Sequence, residues 1–220
     1  MIERLVPASV SCACSREDHG DADTLFPEEA AQVARSTPAR RAEFASVRAC
    51  ARRAMARLGL PPVPVLRGPR GAPLWPPGLV GSMTHCQGYR GAALASAREF
   101  RSLGIDAEPH VQLPSAIRQV VVSATEERWM AVQRPALAIH WDRLLFSAKE
   151  SVFKAWYPLT LLELDFNQAE IVFRRTEQDA SEGTFTARLL CRAPGMPGSF
   201  EGRWLVSGGI VATAVTVPAE

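Results

Sequence analysis

The feature that most constrains the fold is a helical pattern near residues 139–157, which is followed by a run of strand-like segments. Its apolar side chains lie within about 120° of one another on a helical wheel, which indicates a broad buried face. Pro158 is expected to end this helix. A second amphipathic helix is predicted to start at Thr37-Pro38 and to stop at Gly59.

The rest of the chain alternates turns with strands and shorter helices. Short helices are predicted from Pro27 to about Ser36, near residues 113–115 onward, and at about 125–133. Residues 1–26 are expected to be extended or irregular, and residues 61–78 to form a loop rich in Pro and Gly. Strands are predicted at Leu79–Thr84, Tyr89–Ala97, Ser102–Ala107, Ala169–Arg174, Thr184–Cys191, Gly202–Val206 and Ile210–Val217. This order predicts an α+β fold of two similar α/β halves, residues 1–101 and residues 102–220.

Charge and composition exclude several classes. The net charge of +2 is too small to argue for a nucleic-acid binder. The longest apolar run is far short of the ~20 residues that a membrane span needs, and the N-terminal residues do not resemble an export signal. The five cysteines form no CxxC pair, so they are expected to be reduced thiols in a cytoplasmic protein without a zinc site.

Lysine is rare in this chain and confined to one segment. Of 25 basic residues, only Lys149 and Lys154 are lysines. A coding bias toward arginine explains the general excess, and chance could leave two lysines together. The pair nevertheless points to a place where a compact ammonium does what a planar guanidinium cannot.

The segment GIDAEP carries two acids, Asp106 and Glu108, on a predicted strand. Residues i and i+2 share a face about 7 Å apart, and two carboxylates at that distance repel by about 2.4 kcal/mol at an effective dielectric of 20. A divalent cation would offset this repulsion, and Mg²⁺ is the usual choice beside phosphates. The alternative is a solvated strand end.

Two further motifs are ambiguous when each is taken alone. FSAKESVFKAW puts Glu150 and Lys154 on one side of the long helix, where they form either a functional pair or an ordinary surface ion pair. GSMTHC ends a strand with Ser82, Thr84 and His85, which could bind phosphate oxygens. The alternative for His85 is a half-buried ring that is hydrogen-bonded to backbone.

Together, WP…GSMTHC, GIDAEP and FSAKESVFKAW resemble the 4′-phosphopantetheinyl transferases of the Sfp type. The segments PPVPVL, GSMTHCQGYRGA and GIDAEPH are most similar to the actinobacterial branch of that family. The RRAEFASVRACAR helix and the RGPRGAP loop share this resemblance. It implies a fold of two halves related by a pseudo-two-fold, with the active site in the cleft between them. It also implies transfer of the phosphopantetheine arm of coenzyme A to a serine of an apo acyl- or peptidyl-carrier protein, with release of 3′,5′-ADP.

The resemblance also implies roles for particular residues. Asp106, Glu108 and Glu150 match the metal ligands, which would hold Mg²⁺ or Mn²⁺. His85 matches a residue at the coenzyme A pyrophosphate and is expected to take part in catalysis. Lys149 and Lys154 match the two family lysines, and both are expected to contact coenzyme A. Arg40 or Arg41, together with Arg48, match the cations around the 3′-phosphate, and Arg70 matches a loop cation that is often lysine.

The chemistry of phosphoryl transfer supports these roles. We expect Glu150 to accept the serine proton and Lys154 to act as a point charge on the phosphates or to orient that base. The carrier of this family is acidic and helical, and apolar side chains within Val111–Met130 are candidates for its docking surface or plain core. A monomer is expected. The alternatives are a coenzyme A or nucleotide binder without activity and a metal-dependent phosphohydrolase.

Overall fold

In the computed structural model, which describes residues 1–17, 24–133, 139–176 and 179–219, the chain forms two antiparallel sheets and a two-stranded ribbon. The helices of this described part are α1 Pro27–Val33, α2 Pro38–Arg57, α3 Ser115–Val121, α4 Ala124–Ala131 and α5 Trp141–Thr160. Its strands are β1 Ser11–Ser15, β2 Leu66–Arg67, β3 Pro73–Leu74, β4 Leu79–Cys86, β5 Tyr89–Ser96, β6 Phe100–Pro109, β7 Ala169–Arg175, β8 Glu182–Leu189, β9 Ser199–Ser207 and β10 Ile210–Pro218.

The two sheets differ in size. The first has three strands in the order β1-β5-β4, and the second has five in the order β6-β10-β9-β8-β7. The small ribbon pairs β2 with β3 in the segment between α2 and β4. This architecture confirms the predicted α+β class. The division at residues 101–102 stays a prediction, and β6 begins at Phe100.

Each long helix packs on one sheet. The Thr37 side chain caps α2 by accepting a hydrogen bond from the Arg40 amide, 3.3 Å away, and the buried face of α2 lies against β1 and β5. The apolar face of α5 covers the five-stranded sheet. None of the helices in the described ranges is long and apolar enough to cross a membrane.

The two sheets meet at β4 and β6 through side-chain hydroxyls. The Ile105 amide donates to Ser82 Oγ at 3.1 Å, and the Ala107 amide donates to Thr84 Oγ1 at 3.0 Å. Alternate hydroxyls on β4 therefore satisfy alternate amides of β6 that would otherwise be buried without a partner. The seam is polar and fixed in register, and Asp106 lies within it.

The structure corrects the predicted end of the long helix. α5 runs through Pro158 to Thr160, and Leu161 ends it in the left-handed conformation with φ 57°. A proline in the final turn removes one helical hydrogen bond, but two other bonds hold that turn. The Leu161 amide donates to the Tyr157 carbonyl at 2.8 Å, and Thr160 Oγ1 donates to the Trp156 carbonyl at 3.1 Å.

The segment predicted to be irregular at the N-terminus is partly ordered by long-range contacts. A 3₁₀ turn at Ile2–Arg4 buries Ile2 between the sheets, and β1 pairs with β5. The loop predicted at residues 61–78 likewise contains the β2–β3 ribbon. Residues 18–23 of the first segment lie outside the described residues.

Candidate active site

A cavity of about 660 Å³ opens between the elements of the two sheets. α2, the β2–β3 ribbon and β4 contribute one wall, which is rich in arginine, and β6 and α5 contribute the other, which carries acids and a lysine. Ten of the side chains singled out from the sequence line this cavity. They are Arg40, Arg48, Arg70, Ser82, Thr84, His85, Asp106, Glu108, Glu150 and Lys154.

Asp106 is the most tightly held of the acids. Its Oδ1 accepts a hydrogen bond from Lys154 Nζ at 2.7 Å and another from Thr84 Oγ1 at 3.2 Å. Its Oδ2 is buried and has no hydrogen-bond partner among the described residues. A carboxylate oxygen that is buried without a partner is costly, so this oxygen is suited to a cation.

Glu108 lies two residues further along β6 and is paired with an arginine. Its Oε2 accepts from Arg143 Nη1 at 2.9 Å. Burial, together with the charge of Asp106, raises the pKa of Glu108 to about 7, although Arg143 and Lys154 act in the opposite direction.

Glu150 extends from α5 into the same cavity, and its carboxylate makes no hydrogen bond to any residue that the structure describes. Burial raises its pKa, Lys154 opposes that shift, and Asp106 adds to it. Burial by itself would lower the pKa of Lys154, but the carboxylates of Asp106 and Glu150 outweigh burial and raise it. Lys154 therefore stays protonated between these acids.

The three acids line one cavity but do not already form a cage for an ion. Within the described ranges, no three carboxylate, imidazole or thiol groups stand close enough to hold a metal together. Lys154 is bonded to Asp106, and Arg143 to Glu108. The donors nevertheless fit a hard divalent cation, because all are carboxylate oxygens and the buried Asp106 Oδ2 lacks a partner within the described part of the chain.

The opposite wall stacks cations on an aromatic ring. The Arg48 guanidinium carbon lies 3.3 Å from the centre of the Phe44 ring, and that of Arg67 lies 4.8 Å from it. Arg48 Nε donates to the Val65 carbonyl at 3.2 Å, and burial lowers the pKa of Arg48. Such a wall is suited to anionic groups such as phosphates.

His85 and Arg40 form one unit at the edge of this wall. Arg40 Nη1 lies 2.7 Å from His85 Nε2 and also pairs with Glu43, whose carboxylate lies 3.7 Å from the same ring nitrogen. Burial lowers the pKa of His85, which favours the neutral ring that can accept from Arg40. The ring also makes a hydrogen bond to the backbone of His85 itself, so the bond to backbone expected for this residue is present beside the Arg40 contact.

Some predicted ligands are used elsewhere. The hydroxyls of Ser82 and Thr84 line the cavity but are engaged with β6 at the seam. Arg70 adopts the left-handed conformation with φ 57° at the ribbon and pairs with Glu163 beyond α5. Arg41 is not part of the lining, and its Nη1 donates to the Ala34 carbonyl at 3.4 Å.

Lys149 is the clearest departure from expectation, since it lies away from the cavity in a buried bridge. Its Nζ donates to Glu126 Oε2 at 2.9 Å and to the carbonyls of Val121 and Phe166 at 2.7 and 2.8 Å. All three ammonium hydrogens are thus used to join α3, α4 and the segment before β7. A predicted coenzyme A contact from Lys149 is therefore corrected to a structural bridge.

Several side chains of the site could not be selected from sequence alone. The sequence contains many arginines and glutamates, and nothing in it distinguishes Glu43, Arg67 and Arg143 from the others. Only the fold brings these three to the cavity or its edge. Phe153 and Tyr157 line the cavity one turn apart on α5. Their spacing beside Lys154 was the one signal that could have found them.

Comparison with known families covers both halves of this architecture. The model of the 4′-phosphopantetheinyl transferase N-terminal domain matches residues 28–95, and the model of the 4′-phosphopantetheinyl transferase superfamily matches residues 102–195. The first match ends near the end of β5 and the second begins near the start of β6, on either side of the turn that joins these two strands.

Similarity to curated proteins extends over most of the chain. The chain is 58% identical over 202 residues to the 4′-phosphopantetheinyl transferase Svp of Streptomyces mobaraensis, with 89% of this chain and 79% of that protein covered. It is 45% identical to Npt of Nocardia iowensis over 98% of this chain and 99% of that protein. It is 46% identical to PptT of Mycobacterium tuberculosis over 88% and 86%.

Proposed function

The chain belongs to the 4′-phosphopantetheinyl transferase superfamily, and from that membership we propose which residues of its cavity bind coenzyme A, hold a cation and accept a proton. The enzyme transfers the phosphopantetheine group of coenzyme A to carrier proteins. The observation that carries the assignment of roles is the buried, unpartnered Asp106 Oδ2 beside Lys154, across the cavity from a wall of arginines.

The arginine wall binds the phosphates of coenzyme A. Arg48 and Arg40 are assigned to the 3′-phosphate, and Arg70 and His85 to the pyrophosphate, because their cationic or donor groups line one continuous side of the cavity. Arg67 shares the Phe44 ring with Arg48 and adds to the same anion site. Ser82 and Thr84 shape this wall, but their hydroxyl groups bond to β6.

Asp106 and Glu150 would hold a divalent ion, Mg²⁺ or Mn²⁺, with Glu108 beside them. Such an ion supplies charge stabilisation for the phosphoryl oxygens and the leaving group. Thr84 and Lys154 both bond Asp106 Oδ1 and so leave Oδ2 as the oxygen available for this role. The described acids do not surround a common point in this structure, so the assignment requires their side chains to move when the ion binds.

Glu150 accepts the proton of the attacking serine hydroxyl. The serine oxygen forms a bond to the β-phosphorus of coenzyme A, the bond from that phosphorus to the bridging oxygen breaks, and 3′,5′-ADP leaves with the bond's electron pair. A carboxylate whose pKa is raised by burial is a better proton acceptor near neutral pH than an exposed one. Lys154 stays protonated and holds Asp106.

The protein substrate is an apo acyl- or peptidyl-carrier domain. Exposed apolar side chains lie beyond the acid-bearing strand, at Val111, Ile117 and Val120. They are candidates for the docking surface of the carrier, whose modified serine must reach the cavity. We expect one chain to act as a monomer.

The test is the intact mass of an apo-carrier incubated with coenzyme A and Mg²⁺. The wild type should add one phosphopantetheine mass, and a chelator should abolish the gain. Glu150→Gln should lower kcat by at least about 100-fold with the fold retained, because a positioned general base contributes that much. Glu201→Gln, an exposed glutamate on β9, is the matched control and should keep wild-type kcat.

Other outcomes distinguish the alternatives. Release of free phosphopantetheine without modification of a carrier would indicate a phosphohydrolase. Binding of coenzyme A without turnover would indicate a binding protein. A Glu150→Gln variant with nearly normal kcat would overturn the role of Glu150 as the base and leave the transfer itself intact.

A further inference from the structure

Arg143 lies where the acid-bearing strand ends and the chain turns away from the cavity. It stands in the first turn of α5, and its side chain is only 12% exposed. The guanidinium reaches three acceptors at once: Glu108 Oε2 at 2.9 Å, the Val111 carbonyl at 3.0 Å and the Gln112 carbonyl at 3.3 Å. These acceptors lie on both sides of the bend after β6.

The neighbouring residue on α5 completes the grip on this bend. Asp142 Oδ2 accepts from the Leu113 amide at 3.1 Å, and its Oδ1 accepts from the Arg143 amide at 2.8 Å. Two adjacent side chains of α5 therefore bind a carboxylate, two carbonyls and an amide of residues 108–113. The bend cannot shift without breaking charge-assisted hydrogen bonds, which are about twice as strong as neutral ones.

This geometry has a consequence for Glu108. A glutamate has three rotatable side-chain bonds, so a lone residue at a strand end would sample several orientations. The Arg143 guanidinium fixes one carboxylate oxygen of Glu108. Because the same guanidinium also binds the two carbonyls, the orientation of Glu108 and the path of residues 111–112 are set together.

We propose that Arg143 is a positioning residue of the transfer reaction, which holds Glu108 at the cavity and ties its orientation to the segment that follows β6. The proposal rests on the assignment of Glu108 to the cation-facing wall. Lysine could not replace this arginine. The three acceptors match the positions of the nitrogens of a planar guanidinium, and a single ammonium cannot reach all of them. Arg143 contacts no reacting atom and acts through Glu108.

The test is a double-mutant cycle on carrier modification with Arg143→Met, Glu108→Gln and the combined variant. Arg143→Met should lower kcat by about 10- to 100-fold, as expected when a partner that orients a metal-binding carboxylate is removed, with little change in the KM for coenzyme A. In the Glu108→Gln background the same substitution should lower kcat by less than about twofold. Arg143→Lys should recover little of the loss.

A readout without turnover accompanies the cycle. Mn²⁺ binding in the presence of coenzyme A, followed by electron paramagnetic resonance, should weaken by about 10-fold in Arg143→Met. Arg188→Met is the matched control, because Arg188 also forms a 2.8 Å pair with a glutamate, Glu170, but on exposed strands away from the cavity. It should keep wild-type Mn²⁺ affinity and kcat.

The outcomes separate this proposal from the function on which it rests. Equal losses of kcat from Arg143→Met with and without Glu108 would mean a structural role only and would overturn the proposal, as would wild-type Mn²⁺ affinity. If Arg143→Met does not fold, Arg143→Gln with the same cycle decides the question. A wild type that neither modifies a carrier nor binds Mn²⁺ would overturn the proposed function itself.

Discussion

Arg48 is a single side chain that packs in the core and to which we assign binding of an anion. Its aliphatic stem and guanidinium lie in the core of the arginine wall, over Phe44 and against the Val65 carbonyl. Its η nitrogens have no hydrogen bond to any residue in the described ranges. Because Arg48 lines the cavity, these charged donors are available there to an anion such as a phosphate.

We expect Arg48→Ala to raise the KM for coenzyme A by about 10-fold or more and to lower kcat much less, because a hydrogen bond to a charged group contributes about 1.5–3 kcal/mol. The loss should disappear with 3′-dephospho-coenzyme A. Steady-state kinetics with both substrates measure this, and Arg57→Ala, near the end of the same helix, is the control. A wild type that uses both substrates equally well would contradict the assignment of Arg48.

The raised pKa of Glu108 predicts how stability depends on pH without metal. The pKa of its carboxyl rises from an ordinary 4.5 to about 7 on folding. Between those values the native state holds a proton that the unfolded chain has lost, so the free energy of unfolding falls as pH rises from about 4.5 to 7. This is the opposite of the usual behaviour of a carboxylate that is stabilised by an ion pair.

Thermal unfolding in a chelator, from pH 5 to pH 8, measures this effect. We expect the melting temperature of the wild type to decrease across that range, and the decrease to be smaller in Glu108→Gln. Added Mg²⁺ should restore more stability at pH 8 than at pH 5, because it binds the ionised acids. An identical pH profile in Glu108→Gln would show that other groups cause the slope.

At the level of helices and strands, the local sequence pattern predicts those elements whose formation depends mainly on their own residues. The periodicity of α2 and α5 and the alternation of β7–β10 were sufficient to find those elements. The β2–β3 ribbon escaped because its strands are only two residues long and lie in a segment rich in Pro and Gly. β1 escaped because it is held by pairing with β5, which is distant in sequence. Lys149 was misassigned for the same reason, since its partner Glu126 lies on another helix.

The contact of α5 with β6 depends on a glycine. A Cβ atom at Gly104 would lie 1.9 Å from the Ser151 carbonyl oxygen and 2.7 Å from the Ala155 amide. Both are backbone atoms that cannot rotate away. The absent side chain thus permits the helix that carries Glu150 and Lys154 to lie directly on the strand that carries Asp106.

Gly104→Ala should therefore lower the free energy of unfolding by at least about 2 kcal/mol, since overpacking against backbone forces the helix outward. It should also lower kcat, because Lys154 and Glu150 move away from Asp106. Urea denaturation and carrier-modification assays measure both. Gly198→Ala has open space around the added methyl group and should be nearly silent. Wild-type kcat in a stable Gly104→Ala variant would contradict this dependence on close packing.

For the whole molecule, the cavity is assembled from elements that contact one another mainly along one seam. Arginines and His85 come from α2, the ribbon and β4, whereas the acids and Lys154 come from β6 and α5. The sequence motifs predicted residues that line both walls, and the roles of those residues stay predictions. Their apposition depends on the hydroxyl bonds between β4 and β6, which no local pattern encodes.

This division predicts that coenzyme A and a divalent cation stabilise the protein cooperatively. In the proposed arrangement, coenzyme A would place its phosphates at the arginine wall, and those phosphates would complete the oxygen set that Asp106 and Glu150 offer to the cation. Each ligand should therefore raise the affinity for the other by the same factor. The shift in melting temperature with both together should exceed the sum of the separate shifts, at ligand concentrations near 100 times Kd, where one ligand contributes about 2.7 kcal/mol.

Differential scanning fluorimetry with coenzyme A, Mg²⁺ and both measures this coupling, and calorimetric titration of each ligand in the presence of the other confirms its reciprocity. Asp106→Asn should abolish the coupling while leaving the shift caused by coenzyme A alone, because the arginine wall does not depend on that charge. Arg48→Ala should reduce the shift in melting temperature that coenzyme A causes. The coenzyme A that still binds should remain coupled to the cation. Strictly additive shifts in the wild type would mean that the two walls bind their ligands independently. That result would contradict the assignment of the cation to a site shared by the phosphates and the acids.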